Sequence, residues 1–306
     1  MITSFKQLKE MLAGHSKKRR IGVVVAQDEH TLDAVIRAAK DGLVWPVLLG
    51  DAPLIKELLA KFQCSEDIVE IIDIKSPEDC GLKAAEMVRD GKLDCIMKGK
   101  ILTGALMKIL VNKEHGIRKN DTMSLIAFIE SAYYHKILGI TDVGLLTYPN
   151  LLQKKEMIEN AKDAFSALGI ENPKVAVLAA VETVNPKMPE TIDADELKRM
   201  NKEGIITQCI VEGPISYDLA VDKSAAQVKG YDSPVSGDVD ILVVPNIVAG
   251  NLLVKGLTCT GGAKTAGVVM GAMVPVVITS RSATVEDKYM SIVLSALVGS
   301  KKEKRI

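Results

Sequence analysis

Short apolar runs rich in β-branched residues alternate along the chain with longer stretches whose apolar positions recur every three or four residues. The runs IGVVVA (21–26), WPVLLG (45–50), IVEIID (68–73) and LDCIMKG (93–99) predict strands. Between them, 29–41, 51–62 and 77–90 predict amphipathic helices. A second series places strands at 136–146, 174–181, 206–213 and 240–245, with helices near 150–168, 190–203 and 246–258. A last strand, VPVVITS (274–280), runs into a helix from Thr284 to Val298. Strands that are apolar at every position, rather than at every second one, are expected where helices cover both faces of a sheet. The alternation therefore predicts an α/β protein with mainly parallel sheets. The segment TMSLIAFIESAYYHK (122–136) breaks the alternation and suggests a division near 132–140.

A chain of 306 residues is long enough for two domains or one large α/β unit with a sizeable core. Apolar residues make up 47% and charged residues 25%, the balance of a globular protein. Lys plus Arg equals Asp plus Glu at 39 each, and aromatics are only 4%. That excludes the basic excess of a nucleic-acid-binding domain and the stacking platforms of a single-strand binder. The cysteines at 64, 80, 95, 209 and 259 are too scattered for a zinc knuckle or a CxxC pair, and fit buried thiols in a reducing compartment. The histidines at 15, 30, 115 and 135 share no metal-ligand spacing, so no metal site is expected. The start, MITSFKQLKEMLAGHSKKRR, reads as an amphipathic helix and a basic cluster without a signal-peptide core. No apolar run approaches the roughly 20 residues that span a bilayer. The expectation is a cytoplasmic protein with no membrane or nucleic-acid partner.

Candidate chemistry concentrates where strands end. In VPVVITSRSATVED (274–287), Ser280 and Arg281 directly follow a strand, where open α/β sheets bind ligands. Arg offers a planar fork of donors for phosphate, Ser a short hydroxyl, and the following helix its N-terminal amides. The structural alternative is a turn followed by a Thr284-x-x-Asp287 capping box. In KGKILTGALMK (98–108), Lys98, Lys100 and Thr103 follow a strand and open a helix, as either a phosphate site or a solvated basic turn. Asn246, Gly250 and Asn251 follow the strand DILVVP, as either a crevice of amides or a capped, tightly packed helix start. GGAKTAG (261–267) satisfies neither GxGxxG nor GxxxxGK[ST], and the first strand ends in AQDEHT without a glycine. NAD and Walker-type ATP sites are thereby disfavoured. No GxSxG elbow supports a serine hydrolase.

Taken together, EGPISYDLAVD (212–222), SPVSGDVDILVVPNIVAGN (233–251) and TSRSATVEDK (279–288) resemble the phosphate acetyl/butyryltransferase family in order and spacing. The likeness runs over nearly the whole chain, and the short length with KGKILTGALMK looks most like the butyryl-transferring members. The resemblance implies an isopropylmalate-dehydrogenase-like fold of two α/β domains with the active site in the cleft between them. The domains would be 1–135 with 279–306, and 136–278, the C-terminal helix returning to the first. It implies transfer of a short acyl group between coenzyme A, a substrate rather than a cofactor, and phosphate, in a homo-oligomer. Butyryl or a branched short chain is expected, with acetyl as the alternative. By the same resemblance Asp287 would take the proton of the CoA thiol, while Ser280 and Arg281 stabilise the phosphoryl group and the tetrahedral transition state. Lys98, Lys100 and Lys108 stand where phosphate acetyltransferases carry arginines, supplying charge without a bidentate fork. Two other classes stay open: a metal- and NAD-dependent decarboxylating dehydrogenase on the same fold, and a non-catalytic CoA- or phosphate-binding protein in which Asp287 only caps.

Overall fold

A computed structural model describes residues 1–280 and 282–299. The chain divides into two compact units. The first comprises Phe5–Asp121 and the chain from Ala266; the second comprises Met1–Ser4 and Thr122–Thr265.

The first unit opens with α1 (Phe5–Ala13), β1 (Arg19–Val24), α2 (Glu29–Lys40), β2 (Val44–Gly50) and α3 (Ala52–Lys61). It continues with β3 (Glu70–Asp73), α4 (Pro77–Arg89), β4 (Cys95–Lys98) and α5 (Thr103–Leu110). Helix starts follow local chemistry: Asp28, Asp51 and Ser76 each accept an amide of the first turn of α2, α3 and α4.

The second unit contains β5 (Ser124–Glu130), β6 (Leu138–Thr141), α6 (Leu151–Ala167), β7 (Lys174–Leu178) and α7 (Pro189–Lys202). Then come β8 (Ile210–Ile215), α8 (Tyr217–Val221), α9 (Lys223–Val228), β9 (Ile241–Val243) and α10 (Ile247–Lys255). Its strand order is β5-β6-β9-β7-β8, with only the β5–β6 pair antiparallel.

The chain re-enters the first unit through β10 (Lys264–Met270), β11 (Val276–Val277) and α11 (Val285–Gly299). There the order is β3-β2-β1-β4-β11-β10, parallel except for β10 against β11. Within each unit the strands are thus mainly parallel, as the alternation predicts. Helix α11 is buried from Lys288 to Val298 and packs on α2 and α1. Leu294, Ile292 and Val293 are fully enclosed, each contributing about 1.5–3 kcal/mol by burial. Tyr289, also buried, donates its hydroxyl to Asp41 Oδ2 at 2.6 Å beneath Lys9 and Arg37.

The units change over at 121/122 and 265/266, upstream of the divisions expected at 135/136 and 278/279. The segment thought to interrupt the pattern is itself a strand: β5 hairpins onto β6, with Ile126 opposite Thr141 and Ile129 opposite Leu138. At the return, residues 264–267 of the glycine-rich stretch GGAKTAG belong to β10, a strand not among those expected, which pairs back on β11 at Val269 and Val276.

Candidate active site

In the first sheet β1, β4 and β11 are adjacent and parallel, so their carboxyl ends open on one side. From β1 the chain steps outward to β2 and β3, whereas β4 lies on its other side. The β1–β4 seam is therefore a topological switch point, where crossovers diverge and leave a crevice. A cleft of about 600 Å³ lies there, lined by Gln27 to Thr31 after β1, Lys98 to Thr103 after β4, and Thr279, Ser280 and Lys288 around the β11–α11 connection.

The floor is tightly knitted. Lys100 N–H donates to Val25 O at 2.8 Å and Gly99 N–H to Val24 O at 2.9 Å. A Cβ at Gly99 would overlap both carbonyl oxygens, so the close approach of the chain just past the ends of β1 and β4 requires glycine. Val25 sits at φ 58°, a left-handed conformation that is strained for a β-branched side chain.

Two helices start at the rim. Asp28 caps α2, its Oδ2 accepting Thr31 N–H at 3.1 Å and the Thr31 hydroxyl. Helix α5 starts without a side-chain cap, because its N-cap residue is Leu102. Its first amides are thus left to water or to an anion. The cations are Lys98, whose Nζ donates to Gly99 O at 3.1 Å, the exposed Lys100, and the buried Lys288, which donates to Thr279 Oγ1 at 2.9 Å. Burial pushes the Lys288 ammonium pKa below its usual value, although Asp28 and Asp287 pull it up. Of the acidic groups on the lining, Asp28 is occupied as a cap and Glu29 pairs with Lys61 at 2.7 Å. The three lysines accordingly give the lining its predominant charge.

Ser280 is exposed on the cleft, its Oγ 3.0 Å from Ser282 Oγ. Arg281 lies outside the described residues. Asp287 occupies the first turn of α11 and forms the expected capping box. Its Oδ2 accepts Thr284 N–H at 3.0 Å and Thr284 Oγ1–H at 2.8 Å, while its own N–H donates to Thr284 Oγ1 at 3.1 Å. Lys98, Lys100 and Thr103 all line the cleft; Lys108, on the last turn of α5, does not.

Asn246, Gly250 and Asn251 belong to the second unit and are not among the lining residues of this cleft. There they have the structural roles that the pattern left open. Asn246 caps α10, accepting Val248 N–H and Ala249 N–H at 3.1 Å each. Gly250 lets α10 pass within 2.5 Å, from a would-be Cβ, of Asp142 O. Asn251 Nδ2 donates to Val143 O at 3.5 Å. Gly250 and Asn251 thus meet the loop after β6, where the buried Asp142 accepts the amides of Leu125, Gly144 and Leu145 at 2.7–2.8 Å. Burial pushes the Asp142 carboxyl pKa up against those bonds.

Two parts of the cleft escaped the sequence reading: the loop QDEHT after β1, and Lys288. The loop followed a predicted strand, which was its one available signal. Lys288 adjoined Asp287 but resembled any surface lysine. Among the described residues no group of three His, Cys, Asp or Glu is placed to hold a metal ion, and no helix is long and apolar enough to cross a membrane.

The family model described as phosphate acetyl/butaryl transferase matches residues 76–296, spanning the loop after β4 and the whole β11–α11 connection. The chain belongs to this family. Among the relatives of the phosphate acetyl/butaryl transferase family, the phosphate butyryltransferase of Clostridium acetobutylicum is 40% identical over 302 residues, covering 99% of this chain and 100% of the relative. The phosphate acetyltransferase of Thermotoga maritima is 42% identical over 292 residues, covering 95% and 98%. A solved branched-chain phosphotransacylase from Enterococcus faecalis V583 superposes with a TM-score of 0.82 at 30% identity, over 92% of this chain and 99% of that one.

Proposed function

We propose that the protein transfers a short acyl group between coenzyme A and inorganic phosphate, forming acyl phosphate and free CoA reversibly. The observation that carries this reading is the cleft at the β1–β4 switch point, with three lysines and an uncapped helix start, in a chain of this family. Such a site suits a phosphate better than a neutral ligand. A phosphate oxygen attacks the thioester carbonyl, the new C–O bond forms, the C–S bond breaks, and the thiolate leaves.

In the reverse direction the CoA thiol must lose its proton, because the thiolate is the nucleophile and a free thiol has a pKa of about 8.5. Asp287 would accept that proton. Thr284 engages its Oδ2 and fixes the carboxylate, so Oδ1 is the oxygen assigned to the proton. Ser280 would donate to the developing oxyanion, and Arg281 would grip the phosphoryl group with its fork. Lys98, Lys100 and the Thr103 end of α5 would hold the remaining phosphate charge. Coenzyme A enters as a substrate, and no further cofactor is invoked.

A butyryl or branched short-chain substrate is preferred, supported by the names of the Clostridium acetobutylicum relative and the Enterococcus faecalis structure. Acetyl is the second reading, favoured by the Thermotoga maritima relative. Cytoplasmic location accords with the free cysteines, four of them buried; a homo-oligomer is part of the same proposal. Rates with acetyl-, propionyl-, butyryl- and isobutyryl-CoA at fixed phosphate test the chain length. Higher kcat/KM for the four-carbon substrates is expected, and a maximum at acetyl would replace the first reading by the second.

A further inference from the structure

Lys288 differs from the other cations of the cleft in being enclosed. It is only 6% exposed, whereas Lys100 is an exposed residue. One of its three N–H donors goes to Thr279 Oγ1, a neutral hydroxyl that itself lines the cleft. The carboxylates whose charge reaches it are Asp28 and Asp287. Both are already committed to helix starts, Asp28 to Thr31 and Asp287 to Thr284. Among the described residues neither forms an ion pair with Lys288.

A buried ammonium without a directly paired carboxylate opposes folding, since the longer-range charges of Asp28 and Asp287 offset its desolvation only in part. Burial accordingly pushes its pKa down. An apolar residue of the same length would fill this position in α11 at lower cost. The charge therefore calls for something that the folded chain does not itself supply.

We propose that Lys288 is a substrate-binding residue whose ammonium, oriented by Thr279, holds the phosphate or phosphoryl group in the cleft and receives from it the missing counter-charge. The proposal rests on the phosphate-transfer reading of the same site and adds to it a residue from the helix that carries Asp287. Ser280 and Thr279 line the same wall, so the anion would lie against a hydroxyl, an ammonium and the start of α5 together.

Lys288→Met keeps the length and apolar contacts of the stem and removes only the charge. Thermal unfolding of wild type and variant is followed against inorganic phosphate, with potassium chloride at matched ionic strength, and steady-state rates are measured against phosphate and against acyl-CoA. Without phosphate, the variant is expected to melt at or above the wild-type temperature. The phosphate needed for half-maximal stabilisation, and the KM for phosphate, should rise on the order of 10- to 100-fold, the worth of a hydrogen bond to a charged group. The KM for acyl-CoA should change by less than about threefold, within the scatter of a neutral substitution. Lys288→Gln, which retains a donor for Thr279, should lose phosphate response in the same way. If either variant binds phosphate as wild type does, the proposal is overturned, and Lys288 only packs. Lysine-dependent phosphate stabilisation without thiol release from any acyl-CoA would support Lys288 and sink the transfer reading. Phosphate-dependent release that both variants leave unchanged would do the opposite.

Discussion

Replacing Asp287 by Asn separates the two functions that meet at this carboxylate. In the folded chain it closes a capping box with Thr284 through hydrogen bonds of 2.8–3.1 Å. An amide oxygen can still accept Thr284 N–H and Oγ1–H, so the box is kept and the loss in stability should be about 0.3–1 kcal/mol, the worth of a negative charge in the first turn. The same change removes a proton acceptor, and a positioned general base contributes on the order of 10²- to 10⁴-fold in rate. Thr284→Ala is the complementary variant. It deletes the hydroxyl that accepts Asp287 N–H, costing about 0.5–2 kcal/mol, but leaves the carboxylate in place. Urea unfolding paired with turnover of acyl phosphate and CoA should show opposite patterns: Asp287→Asn stable and slow, Thr284→Ala less stable and still active. An Asp287→Asn enzyme within a few-fold of wild-type turnover would refute the base and leave Asp287 a cap.

Gly99→Ala should destabilise the first unit by about 1–3 kcal/mol, because the added methyl meets the Val24 and Val25 carbonyls at the ends of the paired strands β1 and β4; an unchanged urea midpoint would contradict that close approach. Asn246→Ala should cost about 0.5–2 kcal/mol through loss of the α10 cap. A KM for acyl-CoA that rises tenfold or more would instead place Asn246 on the substrate. At Asp238, burial favours the neutral acid, but bonds from Lys136, Lys174 and His135 outweigh it and hold the carboxyl below its usual range. A carboxyl lowered in the folded state stabilises the protein above its unfolded pKa of about 3.9 and loses that contribution as pH falls through the folded value. Unfolding free energy measured from pH 6 down to pH 3 should therefore decline less steeply in Asp238→Asn than in wild type, and parallel curves would exclude the network as a source of acid sensitivity.

Most parallel strands and α11 were legible because each is a local apolar period. The antiparallel strands β5 and β10 were not. β5 lies in a segment that breaks the strand–helix rhythm, and β10 mixes glycine, lysine and threonine; antiparallel pairing with the next strand along, β6 and β11 respectively, makes each a strand. For the site, Thr284-x-x-Asp287 and Asn246 were visible as caps because capping is decided within four residues. The assembly of the cleft was not visible, since it depends on β1, β4 and β11 lying side by side although about 70 and 180 residues separate them along the chain. That is why the loop QDEHT went unrecognised beside Lys98 and Ser280. Lys288 stayed hidden for a related reason: α11 is buried on nearly every face, so its one lysine followed no amphipathic pattern that would announce burial.

The central claim is acyl transfer to phosphate, and it is tested most directly by free thiol released from butyryl-CoA with and without phosphate. The account predicts release that saturates with phosphate, continues with arsenate in its place, and falls to the uncatalysed rate when both are omitted. No phosphate-dependent release from acetyl-, propionyl-, butyryl- or isobutyryl-CoA would contradict it and leave the cleft as a binding site alone.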